Sequence, residues 1–351
     1  MNKQQRPATA HPAQNPQEEG TLVIDFDDNA LLPELFGEYD RNLALIEDRL
    51  GVRLSSRGNR VSISGSKDIA KTAKAVLRSL YGRLRNGLGV NAGDVEGAVR
   101  LAEANAEKAA GAGAPVDAIR TRRRVITPRS QKQAEYVARL RDSELVFATG
   151  PAGTGKTYLA VAVAVELLQQ GVVDRLILSR PAVEAGERIG FLPGDMRDKI
   201  DPYLRPLYDA LHDMQPGDQV VKGMANGDIE VAPLGFMRGR TLSNAFVILD
   251  EAQNTTPMQM KMFLTRLGEN SRMVVCGDPS QVDLPMGSRS GLQDALEVLG
   301  KVDGVSFVKF GEADVVRHRL VTRMVQAYNS SEEQKRLAAI KRRKPAGDAA
   351  D

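Results

Sequence analysis

Residues 150–157 read Gly150-Pro151-Ala152-Gly153-Thr154-Gly155-Lys156-Thr157, an unbroken G-x-x-x-x-G-K-T pattern. An apolar run at 145–147 precedes it, and an apolar, helix-like run at 159–165 follows it. A loop of this kind between a strand and a helix binds phosphate, because its glycines let backbone N–H groups converge on the anion and the helix adds its positive end. The alternative, a glycine-rich turn with an incidental lysine, does not explain a complete motif at this junction. The sequence therefore predicts a nucleotide site.

The residues of this loop and one residue upstream predict how a nucleotide is held. Lys156 is expected to neutralise the β- and γ-phosphate oxygens, and the Thr157 hydroxyl to bind Mg²⁺. No N-K-x-D element, which would indicate guanine, occurs in the chain, so ATP is favoured over GTP. The amide of Gln133, in preference to that of Gln131, is predicted to contact adenine.

The second half of the chain contains four continuously apolar runs, at 145–148, 176–178, 245–249 and 273–276, the first of which precedes the phosphate loop. From about residue 125 to 328 strand-like and helix-like segments alternate, which predicts an α/β domain with a mostly parallel sheet covered by helices on both faces. Polar residues or glycines follow each run. Because parallel strands end at one edge of the sheet, we expect the site along that edge.

Acidic and amide side chains follow two of these runs directly. Asp250 is predicted to hold the Mg²⁺ ion and its waters, and Glu251 to orient or deprotonate the attacking water, which favours hydrolysis over binding alone. A solvated acidic turn is the alternative, and the intact phosphate loop argues against it. Gln281 ends the stretch Gly277-Asp278-Pro279-Ser280-Gln281, and its amide is predicted to sense the γ-phosphate.

The N-terminal part of the chain predicts a smaller α+β domain. Residues 1–20 are polar without apolar periodicity and predict a disordered arm. Residues 21–88 follow the order strand, helix, helix, strand, strand, helix, which resembles a KH module. The nucleic-acid clamp of that module corresponds to Gly37-Glu38-Tyr39-Asp40, which lacks a second glycine and carries two carboxylates. RNA binding through this loop and a role as an adaptor for a protein partner are both open.

Composition sets the domain count and the class of protein. At 351 residues the chain suits two domains, and its net charge of +3 gives no whole-chain argument for nucleic acid. A secretory leader and a membrane span are not visible, so we expect a cytoplasmic protein without membrane association. The single cysteine, Cys276, lies in an apolar run and predicts a buried hydrophobe, which excludes disulfides and cysteine-bound zinc.

Residues 89–124 predict a linker, with a polar helix at 94–110 and a flexible hinge at 111–115. The basic run Arg120-Thr121-Arg122-Arg123-Arg124 either is solvated or contacts RNA phosphates. We expect the P-loop ATPase domain at 125–330 and a basic, disordered tail at 331–351.

The motifs together resemble the first motor domain of superfamily 1 helicases, and further blocks narrow the resemblance to the PhoH-like family. Those blocks are Ser179-Arg180-Pro181-Ala182-Val183-Glu184-Ala185-Gly186-Glu187-Arg188-Ile189-Gly190-Phe191-Leu192-Pro193-Gly194, Asp283-Leu284-Pro285, Ser290-Gly291-Leu292 and Asp314-Val315-Val316-Arg317-His318. The resemblance covers most of the chain and implies a RecA-like core that uses ATP and Mg²⁺. It also implies that 180–194 touches a nucleic-acid backbone; a helix-capping, subunit-contact loop is the equal alternative.

The chain is too short for a complete two-domain helicase. About fifty residues separate Gln281 from the tail, whereas a second motor domain needs on the order of 100. Charge on the γ-phosphate in the transition state still calls for an arginine. We predict that Arg317 supplies it from a neighbouring protomer of a homo-oligomeric ring, with a hexamer favoured. Arg319 and Arg289 are the other choices, and an ion pair between Arg317 and Asp314 is the structural alternative.

Three functions compete. The first is a Mg²⁺-dependent ATPase that remodels or translocates on single-stranded RNA, with helicase activity as one form of it. The second is an ATP-controlled scaffold whose KH-like domain docks a partner such as the rRNA-maturation endoribonuclease. The third, a small-molecule kinase, has no evident lid or substrate acid in the sequence.

Overall fold

A computed structural model of the chain describes residues 19–107, 118–181, 196–285 and 287–316, together with Val321 and Met324. These residues form two compact units with separate hydrophobic cores. The first unit contains the described part of residues 1–116 and residues 128–131, and the second contains the described part of 117–127 and 132–351. Among the helices that can be described, none has both the length and the apolar composition needed to cross a bilayer.

The first unit is an antiparallel three-stranded sheet with helices packed on it, and its strand order is β1-β3-β2. The strands are β1 (Glu19–Asp25), β2 (Arg53–Arg57) and β3 (Arg60–Ser66). The helices are α1 (Leu32–Phe36), α2 (Arg41–Leu50), α3 (Lys67–Arg85) and α4 (Ala92–Glu107). The elements from β1 to α3 follow the predicted order. Helix α3 buries Ala73, Val76, Leu77 and Leu80 at helical spacing against the sheet, which explains its length without a break.

Helix α4 corrects the prediction of a linker helix. Val95 and Val99 are buried in the same core as Leu77, so α4 is part of the first unit. Their spacing of four places both valines on one helix face. The signal was weak because, apart from Leu101, the rest of α4 is small or polar. The hinge at 111–115, residues 1–18 of the arm predicted at 1–20, and the tail at 331–351 lie outside the described residues. The last two residues of that arm, Glu19 and Gly20, belong to strand β1, which corrects its boundary.

The second unit is built on a parallel sheet, whose strand order is β11-β6-β10-β9-β7-β8 over the described ranges. Its strands are β6 (Leu145–Thr149), β7 (Arg175–Arg180), β8 (Ile229–Pro233), β9 (Ala245–Leu249), β10 (Arg272–Gly277) and β11 (Val305–Lys309). The four predicted apolar runs are the four central strands. The α/β fold with a parallel sheet is therefore confirmed.

Helices cover both faces of this sheet. They are α5 (Gln131–Asp142), α6 (Lys156–Gln169), α7 (Met196–Met214), α8 (Gly217–Asn226), α9 (Pro257–Leu264) and α10 (Gly291–Leu299). Successive residues of β7 show the two layers, because Leu176 packs in the core that contains α6 and α7, whereas Ile177 packs in the core that contains α9 and α10. Burial on both faces explains why the central strands are apolar at every position.

The basic run at 120–124 is not a linker but the tip of a two-stranded hairpin, β4 (Ile119–Arg120) and β5 (Val125–Ile126). Arg123 donates through Nη1 to the carbonyl oxygen of His212 at 2.6 Å. Arg124 lies 3.2 Å from the carboxylate of Asp213. These contacts attach the hairpin to the carboxyl end of α7, while Arg122 is exposed at the tip.

Candidate functional site

The phosphate loop joins the end of β6 to the start of α6, as the sequence predicts. Gly150, Gly153 and Gly155 have φ angles of 138°, 84° and 83°, in the region that favours glycine. A Cβ atom on Gly150 would lie 2.5 Å from the carbonyl oxygen of Phe310, so a larger residue does not fit there. The three glycines thus give the loop a path that other residues cannot follow, and this path turns the chain into the first turn of α6.

Lys156 lies within the curve of this loop. Its Nζ atom donates to the carbonyl oxygens of Gly150 at 2.6 Å and Pro151 at 2.9 Å. Burial lowers the pKa of Lys156, and nearby acidic groups oppose that shift. A buried ammonium whose hydrogen bonds go to neutral carbonyl groups, beside the amino end of a 14-residue helix, suits a phosphate anion.

Thr157 and Asp250 meet beside the loop. The Thr157 hydroxyl donates to Oδ1 of Asp250 at 2.5 Å. Burial raises the pKa of Asp250, and the hydrogen bond from Thr157 opposes this shift. Asp250 directly follows β9, which places its carboxylate at the carboxyl edge of the sheet. A hydroxyl and a carboxylate oxygen at this distance are donors of the kind that Mg²⁺ prefers, so the pair fits the predicted metal position.

The other predicted residues line the same cleft, which has a volume of about 240 Å³. Glu251 has a φ of 51°, and Gln281 donates through Nε2 to Oδ2 of Asp278 at 2.9 Å. The lining residues are Ala152, Gly153, Gly155, Lys156, Thr157, Tyr158, Asp250, Glu251, Gly277, Asp278 and Gln281. The structure thus brings the predicted phosphate, metal, water and sensor residues together, although they come from three separate strand ends.

Gln133 has a different environment from the predicted adenine contact. It is buried on α5, and its Nε2 donates to the carbonyl oxygen of Thr154 at 2.9 Å. One helical turn later the Tyr136 hydroxyl donates to the carbonyl oxygen of Lys156 at 3.1 Å. Two side chains of α5 therefore support the phosphate loop from behind. An adenine contact by Gln133 stays a prediction.

Cys276 is buried on β10, as predicted for a core residue. Its Sγ atom lies 3.4 Å from the Tyr136 hydroxyl. Burial raises the pKa of the Cys276 thiol to about 12, so the thiol carries no chemistry at neutral pH.

Sequence reasoning gave no role to Tyr158 and Gln253. Tyr158 lines the cleft, and its hydroxyl lies 3.5 Å from the Asp213 carboxylate. Gln253 is fully buried, and its Oε1 accepts a hydrogen bond from the backbone N–H of Asp278 at 3.0 Å. The position of Gln253, two residues after Glu251, was the available signal.

Several predictions fall wholly or partly beyond the described residues. Arg317 and Arg319 lie outside them, as does 182–195, which contains most of the block that starts at Ser179. Arg289 is described, and its guanidinium pairs with the carboxylates of Asp294 and Glu297, both on α10. The arginine that completes the site therefore stays a prediction.

The loop Gly37-Glu38-Tyr39-Asp40 of the first unit is a 3-10 turn with unusual backbone angles. Tyr39 and Asp40 have φ angles of 53° and 57°, a region that non-glycine residues seldom occupy. The Tyr39 side chain is fully exposed. This turn therefore presents to solvent an aromatic ring flanked by two carboxylates.

Comparisons with known proteins show which family the chain resembles. A family described as "PhoH-like protein" matches residues 125–329. A PhoH-like protein of Bacillus subtilis (strain 168) is 48% identical over 296 residues, which cover 84% of this chain and 93% of that protein. A PhoH-like protein of Synechocystis is 44% identical over 317 residues, which cover 90% and 96%. A solved Sulfolobus solfataricus SWI2/SNF2 ATPase core in complex with dsDNA is 12% identical and covers 53% of this chain and 46% of its own, with a TM-score of 0.33, a similarity too low to carry an argument.

Proposed function

The chain belongs to the PhoH-like protein family and carries a P-loop NTPase site, and from that premise we propose that it binds ATP with Mg²⁺ and hydrolyses it to ADP and phosphate. One observation carries the proposal. Lys156, Thr157, Asp250, Glu251 and Gln281 line a single cleft at the carboxyl edge of the sheet.

The position of each of these side chains suits a particular role in ATP binding or hydrolysis. Lys156 and the backbone N–H groups of the loop would hold the phosphates, and Thr157 and Asp250 would hold the metal. Bound Mg²⁺ supplies positive charge that neutralises the phosphate oxygens. Glu251 accepts the proton of a water whose oxygen bonds to the γ-phosphorus, while the bond from that phosphorus to the ADP oxygen breaks. Gln281 donates a hydrogen bond to the γ-phosphate.

Phosphate release by the wild type and by Glu251→Gln tests this proposal. Loss of a general base lowers turnover by about 10²- to 10⁴-fold, and ATP affinity should be retained. Glu230→Gln is the matched control, because Glu230 lies on edge strand β8 and pairs with Arg240 away from the cleft. A Glu251→Gln protein that turns over ATP at the wild-type rate would contradict the assignment.

We further propose that ATP hydrolysis drives remodelling of single-stranded RNA or translocation along it. The resemblance to helicase motor domains supports this, as does exposed Arg122 at the tip of a basic hairpin. Single-stranded RNA should therefore raise ATP turnover, and the increase should shrink as salt rises because phosphate contacts are screened. Indifference of the turnover rate to every nucleic acid tested would reject this part of the proposal.

The alternative is an ATP-controlled scaffold, and the turn at 37–40 favours it. Glu38 and Asp40 repel RNA phosphates, whereas an exposed Tyr39 ring suits the centre of a protein interface. Binding of the purified rRNA-maturation endoribonuclease, measured with and without ATP and with Tyr39→Ala, tests it. Capture that needs ATP and Tyr39 but no RNA would favour the scaffold over the RNA motor.

The proposed ring can be tested with two inactive variants. If Arg317 acts on the neighbouring protomer, Arg317→Ala protein supplies an intact Glu251 and Glu251→Gln protein supplies an intact Arg317. Mixing the two should then restore part of the ATP turnover. Mixtures that stay inactive, although co-purification of differently tagged protomers shows mixed oligomers, would show that Arg317 does not act on the neighbouring protomer.

A further inference from the structure

The carboxylate of Glu251 is held by two neighbouring side chains. Its Oε1 lies 3.2 Å from Nη2 of Arg180, and its Oε2 accepts a hydrogen bond from Nε2 of Gln253 at 2.5 Å. Arg180 is itself fixed, because its Nη1 donates to the carbonyl oxygen of Tyr203 at 2.8 Å. The proposed base is therefore turned toward a cation rather than left free to meet a water.

Sheet topology puts Arg180 and Glu251 side by side. Arg180 is the last residue of β7, and Glu251 follows the end of β9, the neighbouring strand. A hydrogen bond from the backbone N–H of Asp250 to the carbonyl oxygen of Ser179, 2.9 Å long, continues the pairing to this point. The side chains of Arg180 and Glu251 are 22% and 39% exposed, and Glu251 lines the cleft, so a dissolved anion can reach the pair.

The pair differs from another arginine and glutamate pair in the same unit. Arg240 binds Glu230 through two contacts of 2.6 and 2.7 Å, in the two-pronged geometry that such pairs prefer. Arg180 makes one contact of 3.2 Å with Glu251 and uses its other nitrogen elsewhere. The Arg180 to Glu251 contact is thus the more easily exchanged of the two.

We propose that Arg180 is a positioning residue for Glu251, which holds the carboxylate toward β7 and releases it when a phosphate oxygen takes the guanidinium. A guanidinium matches phosphate as well as carboxylate, so the exchange replaces one oxyanion with another. The phosphate belongs either to ATP or to a phosphodiester of a bound polynucleotide. This role rests on the proposed ATP hydrolysis, and it specifies how Glu251 is oriented before a phosphate binds.

The test compares kcat and KM for ATP in the wild type, Arg180→Ala, Arg180→Lys and the control Arg240→Ala, with and without polyuridylate. If a polynucleotide supplies the phosphate, the ion pair persists at saturating ATP without polyuridylate, and its loss in Arg180→Ala should raise the basal kcat about two- to fivefold. The constant that changes in Arg180→Ala should have an intermediate value in Arg180→Lys, because an ammonium keeps the charge but cannot reproduce the forked contacts. Arg240→Ala should keep the wild-type kcat.

The two phosphate sources give different second effects. If ATP supplies the phosphate, the pair is already released at saturating ATP, so Arg180→Ala raises KM for ATP and leaves kcat unchanged. If a polynucleotide supplies it, KM is unchanged, basal kcat rises and stimulation by polyuridylate is lost. A lower basal kcat in Arg180→Ala, or no change in any of these values, overturns the proposal. Should Arg180→Ala fail to fold, wild-type values of both basal kcat and KM in Arg180→Lys overturn it instead. Failure of wild-type protein to release phosphate would refute the proposed hydrolysis itself, a different outcome.

Discussion

Glu166 offers a stringent test of how the second unit is held together. It lies on α6 with 5% of its surface exposed. Its Oε1 accepts a hydrogen bond from the backbone N–H of Arg120 at 2.8 Å. Its Oε2 accepts two from the Arg141 guanidinium, at 3.1 Å from Nε and 2.7 Å from Nη2. One carboxylate thus joins α6 to α5 and to the hairpin strand β4.

Glu166→Gln keeps the shape of the side chain and removes its charge. The new amide can still accept from Arg120, but its NH₂ group faces the donors of Arg141. Removing one partner of a buried ion pair costs about 3–5 kcal/mol. The Arg141 side chain is 23% exposed, and the water that reaches it reduces the cost, so we expect a loss of about 2–3 kcal/mol. For a unit of this size that corresponds to a fall in Tm of roughly 4–12 °C.

Thermal unfolding followed by circular dichroism measures this loss, and urea unfolding gives the free energy independently. Glu230→Gln is the control, since its pair with Arg240 is about one-third exposed and should contribute less than ~1 kcal/mol. The reasoning fails if Glu166→Gln and Glu230→Gln lose the same stability. It also fails if Glu166→Gln loses less than about 1 kcal/mol.

Three further predictions concern the cleft and its support. Lys156→Ala should weaken ATP binding about 10- to 100-fold by calorimetry, because a charge-assisted hydrogen bond is worth about 1.5–3 kcal/mol; unchanged affinity would contradict its role. Gly150→Ala should lose ATP binding and lower Tm, since its Cβ would meet the Phe310 carbonyl oxygen at 2.5 Å, whereas Gly235→Ala, with open space around it, should do neither. Cys276 has a pKa of about 12, so its thiolate fraction at pH 8 is on the order of 10⁻⁴ and rises with pH. Ellman's reagent should label it only as the protein unfolds, and rapid labelling of native protein would count against its burial.

The central strands could be predicted because both of their faces are buried, which leaves an apolar side chain at every position. Edge strands β8 and β11 were missed for the opposite reason. β8 buries Ile229 and Ala232 without strict alternation and includes the partly buried Glu230, and β11 has Val308 as its buried residue. A strand with a neighbour on one side only carries too weak a pattern to be read without knowing the sheet.

The candidate site also has features that the sequence predicts and features that it does not. Positions set by a local motif, such as those of Lys156 and Asp250 in the cleft, could be predicted from the sequence because the motif includes its own strand and turn. Contacts between motifs could not. Gln133 supports the phosphate loop and Arg180 pairs with Glu251 only because the fold brings separate segments together, and nothing in the spacing of the chain encodes those distances.

Side-chain contacts at the cleft form a continuous path across three neighbouring strand ends. Gln281 binds the Asp278 carboxylate, the backbone N–H of Asp278 binds Gln253, Gln253 binds Glu251, and Glu251 meets Arg180. Strands β10, β9 and β7, which carry these residues, are packed on both faces and cannot shift independently. A change at the γ-phosphate that moves the amide of Gln281 is therefore expected to reach the base through side-chain rotations, while the sheet stays fixed. The same path runs in reverse, so an anion that takes Arg180 is expected to alter the position of Gln281, the proposed γ-phosphate sensor.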